Sequence, residues 1–264
     1  MDATLTFLGT GTSMGVPTLG CDCAVCTSTD PHDKRLRPSL LLRWRHENQN
    51  RAIAIDTGPD FRIQGLRAGV SRIDAVLYTH AHADHILGLD DLRPLSYSIS
   101  REGAHIRLLA NTSTTEVLKR IYDYTLSPDA TYKHRARVQL EPLPEQFDLF
   151  GASFTRVPLI HGNLEISGFR FGRTAYLTDV SEIPESSFTL LEDLDCLILS
   201  ALRHTPHPNH ATVAQAVEWA RRIGARQTWF THISHDLGHE QTNQTLPNGM
   251  ALAYDELSFQ VVLA

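Results

Sequence analysis

What this 264-residue sequence lacks removes several classes of function. No apolar run approaches the ~18 residues that a membrane-crossing helix needs, so no membrane partner is expected. Basic residues are not in excess: 24 Lys and Arg stand against 30 Asp and Glu, a formal charge of −6. Bulk electrostatic capture of a long nucleic acid is therefore not expected, although a local basic pocket is compatible with that total. The start, Met1-Asp2-Ala3-Thr4-Leu5, has neither the basic nor the apolar region of a signal peptide, which makes the cytoplasm the expected location. Repeats, low-complexity tracts and Pro/Ser-rich linkers are absent, so one domain over residues 1–264 is expected, with a cysteine-rich loop at about 15–38. Cysteine is scarce too. Of the 4 present, Cys21, Cys23 and Cys26 crowd together, which makes a poor disulfide framework because one thiol is always left over. Cys196 stands alone in the run Cys196-Leu197-Ile198-Leu199 and reads as a small buried hydrophobe.

Apolar residues make up 42% and charged residues 20%, as in ordinary globular chains, and the length suffices for a sizeable core. Short β-rich runs recur: Thr4–Leu8, Leu40–Trp44, Ala52–Ile55, Ala75–Tyr78, Ile106–Leu109, Phe154–Leu159, Phe169–Leu177, Cys196–Leu199 and Thr228–Phe230. Many end in Gly, Asp or His. Helical spacing is clearest over Ala211–Ile223, with Asn209 placed to cap its start and Gly224 to stop it. Thr114–Tyr124 and Asp84–Leu95 read as further helices. Strands interspersed with helices give an α/β chain with polar residues at strand ends, where open sheets usually carry their sites.

Histidine is abundant, with 14 residues gathered mainly at 80–85, 204–210 and 232–239. In Thr79-His80-Ala81-His82-Ala83-Asp84-His85, four potential ligands occupy six positions between a strand and a helix. Imidazole and carboxylate donors suit zinc, manganese or iron. His80 and His82, two apart in an extended loop, can face one ion, while Asp84 and His85 at the turn into the helix can face another. The Cys21-Asp22-Cys23-Ala24-Val25-Cys26 segment offers three corners of a tetrahedral zinc site, with His235 the best candidate for the fourth. His204 and His207 read as surface residues.

The His-x-His-x-Asp-His segment resembles the signature of the metallo-β-lactamase superfamily, and further motifs follow in that family's order. The resemblance implies a fold of two mixed β-sheets flanked by helices, an αββα sandwich. It implies that His80, His82 and His161 hold one divalent ion, that Asp84, His85 and His232 hold a second, and that Asp179 bridges them. Asp56 would support this set from behind. Asp84 and His210 would be catalytic, His210 as a proton donor or phosphate-binding residue at a helix start. Leu8-Gly9-Thr10-Gly11, Gly15-Val16-Pro17, the three cysteines and Thr231-His232-Ile233-Ser234-His235 further resemble the cyclic-ribose-phosphate phosphodiesterases of the carbon–phosphorus lyase pathway (PhnP-like). That likeness implies two Mn²⁺ or Zn²⁺ ions in the active site, a structural Zn²⁺ on Cys21, Cys23, Cys26 and His235, and a small phosphate-ester substrate such as phosphoribosyl 1,2-cyclic phosphate or a 2′,3′-cyclic nucleotide. A homodimer is a further expectation. Two other functions share parts of the pattern: RNA processing of the tRNase Z kind, and a non-catalytic metal-binding protein of the quinone-cofactor biosynthesis type. Thr12-Ser13-Met14 and the cation-bearing segment from Arg93 to Arg137 depart from the family pattern.

Overall fold

The computed structural model describes residues 1–263. Among the described residues, fourteen strands form two seven-stranded sheets. The first sheet contains β1 (Asp2–Gly9), β2 (Ser39–His46), β3 (Gln49–Ile55), β4 (Ala75–Leu77), β5 (Ile106–Ala110), β6 (Val138–Pro142) and β14 (Ser258–Val262). The second contains β7 (Gln146–Leu149), β8 (Ala152–His161), β9 (Leu164–Phe171), β10 (Thr174–Leu177), β11 (Cys196–Ser200), β12 (Gln227–Thr231) and β13 (Met250–Leu252). The spatial orders are β14-β1-β2-β3-β4-β5-β6 and β13-β12-β11-β10-β9-β8-β7. Each sheet is antiparallel at one end and parallel at the other: β3 to β6 run parallel in one, β10 to β13 in the other.

Strand side chains alternate between faces, and here both faces are covered. Leu40 and Leu42 of β2 point into the cluster between the sheets, with Phe154, Phe169, Phe171 and Ile198 opposite. Leu41, between them, points outward against Phe61, Leu92, Ile99 and Leu118 beside the first sheet. All three leucines are fully buried, which explains why β2 reads as a continuous apolar run. The second sheet repeats the arrangement: Leu197 and Leu199 pack outward against Val213, Ala216 and Ala220 of the helix Val213–Ile223. Truncating any of these leucines to alanine removes about 2–5 kcal/mol of stability.

Several sequence expectations shift in detail. The run Phe169–Leu177 is two strands, β9 and β10, turning at Gly172. The helix expected from Ala211 begins at Val213, because Thr212 and Gln215 form a reciprocal capping box. Asn209 is therefore not the cap, and His210 does not sit at a helix start. The helix expected over Asp84–Leu95 is three pieces, Ala83–Ile86, a 3₁₀ turn at Leu89–Leu92, and Arg93–Arg101. Thr114–Tyr124 is likewise divided, into Thr112–Ile121 and Asp123–Leu126. Among the described residues no helix is long and apolar enough to cross a membrane.

Candidate metal centres

The parallel ends of the two sheets bring the polar strand-end residues together. Asp56 follows β3, the His80–His85 segment follows β4, Asp179 follows β10 and His232 follows β12. His161 ends β8. Asp56, Asp179 and His232 all adopt left-handed backbone conformations, with φ of 63°, 58° and 55°. Such conformations cost roughly 1–3 kcal/mol each for a residue with a side chain and are retained where the surroundings over-determine them. They let each chain turn abruptly off its strand and direct a side chain into the gap between the sheets. The loop after β3 also crosses the metal-motif helix closely: a Cβ on Gly58 would lie 1.9 Å from the Asp84 carbonyl oxygen.

The structure gathers the seven expected ligand residues into two adjoining sets. One is His80, His82 and His161; the other is Asp84, His85, Asp179 and His232, and within each set the candidate ligand atoms lie within 4.8 Å of one another. Asp179 spans the second set, with Oδ2 3.3 Å from His85 Nε2 and Oδ1 3.0 Å from His232 Nε2. His161 Nε2 is 3.3 Å from His82 Nδ1. His210 also approaches the second set, its Nδ1 3.9 Å from Asp179 Oδ1.

Hydrogen bonds on the outer nitrogens fix which inner nitrogens face the gap. His85 Nδ1 donates to Asp56 Oδ2 at 2.7 Å, and His161 Nδ1 donates to the Asn209 carbonyl at 2.7 Å. Asp56 also accepts from the Thr79 backbone N–H and hydroxyl, both at 2.8 Å, and Thr79 Oγ1 lies 2.9 Å from His80 Nδ1. This leaves His80 Nε2, His85 Nε2 and both His232 ring nitrogens buried without hydrogen-bond partners. Buried polar atoms ordinarily find partners, so a converging group of orphaned imidazole nitrogens fits a cation.

The electrostatics fit one as well. Burial alone would lower the pKa of His232, but Asp179 and Asp84 override it and push it up to about 9. His85, despite complete burial, is raised well above its usual range by Asp84, Asp179 and Asp56. Burial opposes the ionised form of Asp179, yet His232 and His85 hold its pKa well below the usual carboxylate range. The carboxylate cluster thus calls for positive charge and, in the ion-free protein, draws it from imidazolium. His80, where burial and then His85 dominate, is held neutral, as a ligand requires.

The second centre lies on the loops. His235 Nδ1 is 3.2, 3.5 and 3.5 Å from the sulfurs of Cys21, Cys23 and Cys26. Donor separations of ~3.5 Å are the edges of a tetrahedron around zinc with Zn–S near 2.3 Å and Zn–N near 2.0 Å. The Cys26 backbone N–H points at Cys23 Sγ and, against a smaller opposing effect of burial, brings that thiol down to about 7. No disulfide joins these cysteines.

Three participants carried little sequence signal for the roles they take. Arg35 is fully buried and its guanidinium bonds Asp33 and the carbonyls of His32, Ser234 and Leu237. It clamps the loop that carries both His232 and His235. Thr79 organises Asp56, His80 and His85, and only its place inside the histidine motif hinted at it. Asn209 acts through its carbonyl, which side-chain chemistry does not reveal. His204 is exposed, as expected of a surface residue, but His207 is half-buried and lies against His210, the rings tilted by 45° with centroids 5.0 Å apart.

The Beta-lactamase superfamily domain family matches residues 51–233. A crystal structure of a diphosphatase from the PhnP family superposes with a TM-score of 0.91 at 52% identity, covering 99% of this chain and 98% of that one. An octanoyltransferase of Porphyromonas gingivalis is 37% identical over 95% of this chain; this chain spans only 50% of that protein. A ribonuclease Z of Pyrobaculum calidifontis is 26% identical, with 87% of this chain and 86% of that one covered.

Proposed function

We propose that this chain, which belongs to the metallo-β-lactamase superfamily and is a PhnP-like metal-dependent hydrolase, cleaves a phosphodiester bond in a small anionic molecule. The observation that carries this reading is Asp179: one carboxylate within reach of His85 and His232, beside a second set of three histidines. That arrangement suits two divalent ions, manganese or zinc, held by His80, His82 and His161 on one side and Asp84, His85 and His232 on the other, with Asp179 between. Such a pair supplies Lewis-acid polarisation of the phosphoryl oxygens and activation of water at neutral pH.

The residues of the chain then have separate tasks. Asp56 accepts from His85 and Thr79, so it holds the motif in register. Asp84 is kept ionised, its burial outweighed by the neighbouring His85 and His232, so it can accept a hydrogen bond from the attacking water. His210 is pushed down to about 3 by burial, with His232 adding to the effect. It is neutral near pH 7 and serves as a hydrogen-bond donor to a substrate oxygen. Cys21, Cys23, Cys26 and His235 take a structural zinc, which ties the N-terminal loop to the strand end that carries His232.

Cyclic ribose phosphates and 2′,3′-cyclic nucleotides are the favoured substrates. A second reading, hydrolysis of a diphosphate linkage, is favoured by the diphosphatase at 52% identity. Both place a phosphoryl group against the same cations. The test is turnover by manganese-loaded protein of 2′,3′-cyclic AMP, bis-p-nitrophenyl phosphate, a nucleoside diphosphate ester, precursor tRNA and a thioester. Hydrolysis of the first two is expected. Cleavage of the diphosphate alone selects the second reading, and cleavage of precursor tRNA or thioester alone overturns both.

A further inference from the structure

Away from the metal centres, the opposite end of the first sheet carries a cavity of about 360 Å³. It lies between the start of β3 and residues 69–72, which lead toward β4. Asp56, at the metal end, comes five residues after Arg51, roughly 16 Å further along an extended chain. Three arginines line the cavity, Arg43, Arg51 and Arg72, and among the described residues no carboxylate does. The whole chain has a formal charge of −6, so this concentration of positive charge runs against its composition.

Strand geometry creates the opening. β3 begins at Gln49, but β4 begins only at Ala75, which pairs with Ile53, so residues 49–52 project beyond their neighbour. Ala52 turns its backbone N–H to the Asp74 carboxylate and its carbonyl to the Asp74 N–H, away from β2. Residues two apart in a strand point their backbone groups the same way, so the Asn50 N–H also faces this open side, beyond the reach of β4. Arg51 Nη1 and Arg72 Nε both donate to Asp74 Oδ1, at 3.2 and 2.8 Å. Arg72 also forks onto Glu102 at 2.9 and 3.0 Å, and the Arg51 guanidinium lies 4.6 Å from the centre of the Phe150 ring. Arg43 bonds the Ala68 carbonyl and, among the described residues, no acid. Three guanidiniums thus face two carboxylates, and one positive charge is left over. Arg51 Nε, buried without an acceptor, adds to that deficit. Trp44, Ala52 and Val70 supply an apolar wall beside the cations.

We propose that this cavity binds a small organic phosphate, a phosphate group carried on a ring such as a nucleoside, at a site separate from the metal centres. Guanidinium groups match phosphate oxygens with paired, charge-assisted hydrogen bonds. Arg43 and the Asn50 backbone N–H take the phosphate oxygens, Arg51 and Arg72 supply the surrounding positive field, and Trp44 and Val70 cover the ring. The volume is that of an ordinary small-molecule site. None of the proposed metal ligands lines the cavity, so binding here is independent of the reaction proposed above.

The experiment is titration of zinc-loaded protein with adenosine 5′-monophosphate, followed through the backbone amide signals in two-dimensional NMR. Signals from residues 50–52 and 69–72 should shift and saturate, separately from any response at the metal end. Adenosine, which lacks the phosphate, should leave them in place. Arg43→Gln should weaken binding read at these signals by about tenfold, the scale of one hydrogen bond to a charged group, with any response at the metal end unchanged within about twofold. Arg51→Gln should weaken it at least as much. Because Arg51 also pairs with the buried Asp74, thermal melting checks that this variant is folded, and Arg43→Gln, which breaks no ion pair, carries the test if it is not. No saturable shift at residues 50–52 and 69–72, equal shifts with adenosine, or unchanged affinity in Arg43→Gln overturns the proposal. If these amides respond as expected but no phosphodiester or diphosphate is hydrolysed, the proposed reaction is wrong and the phosphate site stands.

Discussion

The two ligand clusters are built in opposite ways. The cysteine centre is largely local: three thiols within six residues and one distant histidine, on half-exposed loops. The seven-residue centre is almost wholly non-local, drawn from the ends of β4, β8, β10 and β12, and every member except His82 is buried. A local cluster needs little more than the right spacing. A non-local one needs both sheets in register, strained turns at three strand ends, and outer partners such as Asp56 that fix ring orientation. The first should therefore fail gradually and the second abruptly.

Asp179→Ala should give the largest effect on chemistry. Loss of the carboxylate between the two sets should lower kcat by at least about 10²–10³-fold, the scale of one preorganised electrostatic contact, measured on bis-p-nitrophenyl phosphate. Arg35→Met should give the largest loss of stability. It removes the counter-charge of the buried Asp33 and a donor from three carbonyls, at a cost of about 3–5 kcal/mol measured by denaturant unfolding. Because Arg35 holds the loop shared by both centres, metal content should fall at both. Asp56→Asn should reduce active-site metal affinity by about 10–100-fold with the cysteine centre unchanged. Cys23→Ser should do the converse: one equivalent of zinc lost and the melting temperature lowered, with a smaller loss of turnover.

Protons should divide the centres too. In the ion-free protein His232 titrates at about 9, so below that pH an incoming cation must displace its proton. Affinity at the seven-residue centre should therefore strengthen as pH rises toward 9, weaken in acid, and release protons on binding, which a pH indicator in weak buffer detects. Affinity that is flat from pH 6 to pH 9 would contradict this account of His232.

Much of this is legible in the sequence. Strand runs interleaved with helical ones indicated an α/β chain, and the family resemblance carried by the histidine motif implied the αββα sandwich and the places of Asp56, His161, Asp179 and His232. What was not readable has physical causes. The helix after the motif breaks near Gly88, where a Cβ would stand 2.0 Å from the Gly58 carbonyl oxygen; that is a tertiary contact invisible to periodicity. Strands β6, β7, β13 and β14 lie toward the sheet ends, where exposed positions dilute the apolar pattern. Asn209 suits a helix cap by residue type, but the Thr212–Gln215 box does that work and leaves the Asn209 carbonyl to His161. Arg35 looks like a surface cation until its four acceptors are seen.

The most direct test of the central claim is anomalous diffraction from crystals of the metal-loaded protein, collected at the manganese and zinc edges. Two neighbouring peaks flanking the Asp179 carboxylate, one beside His80, His82 and His161 and one beside Asp84, His85 and His232, are predicted. A single peak there, or metal bound only at the cysteine centre, would contradict the account.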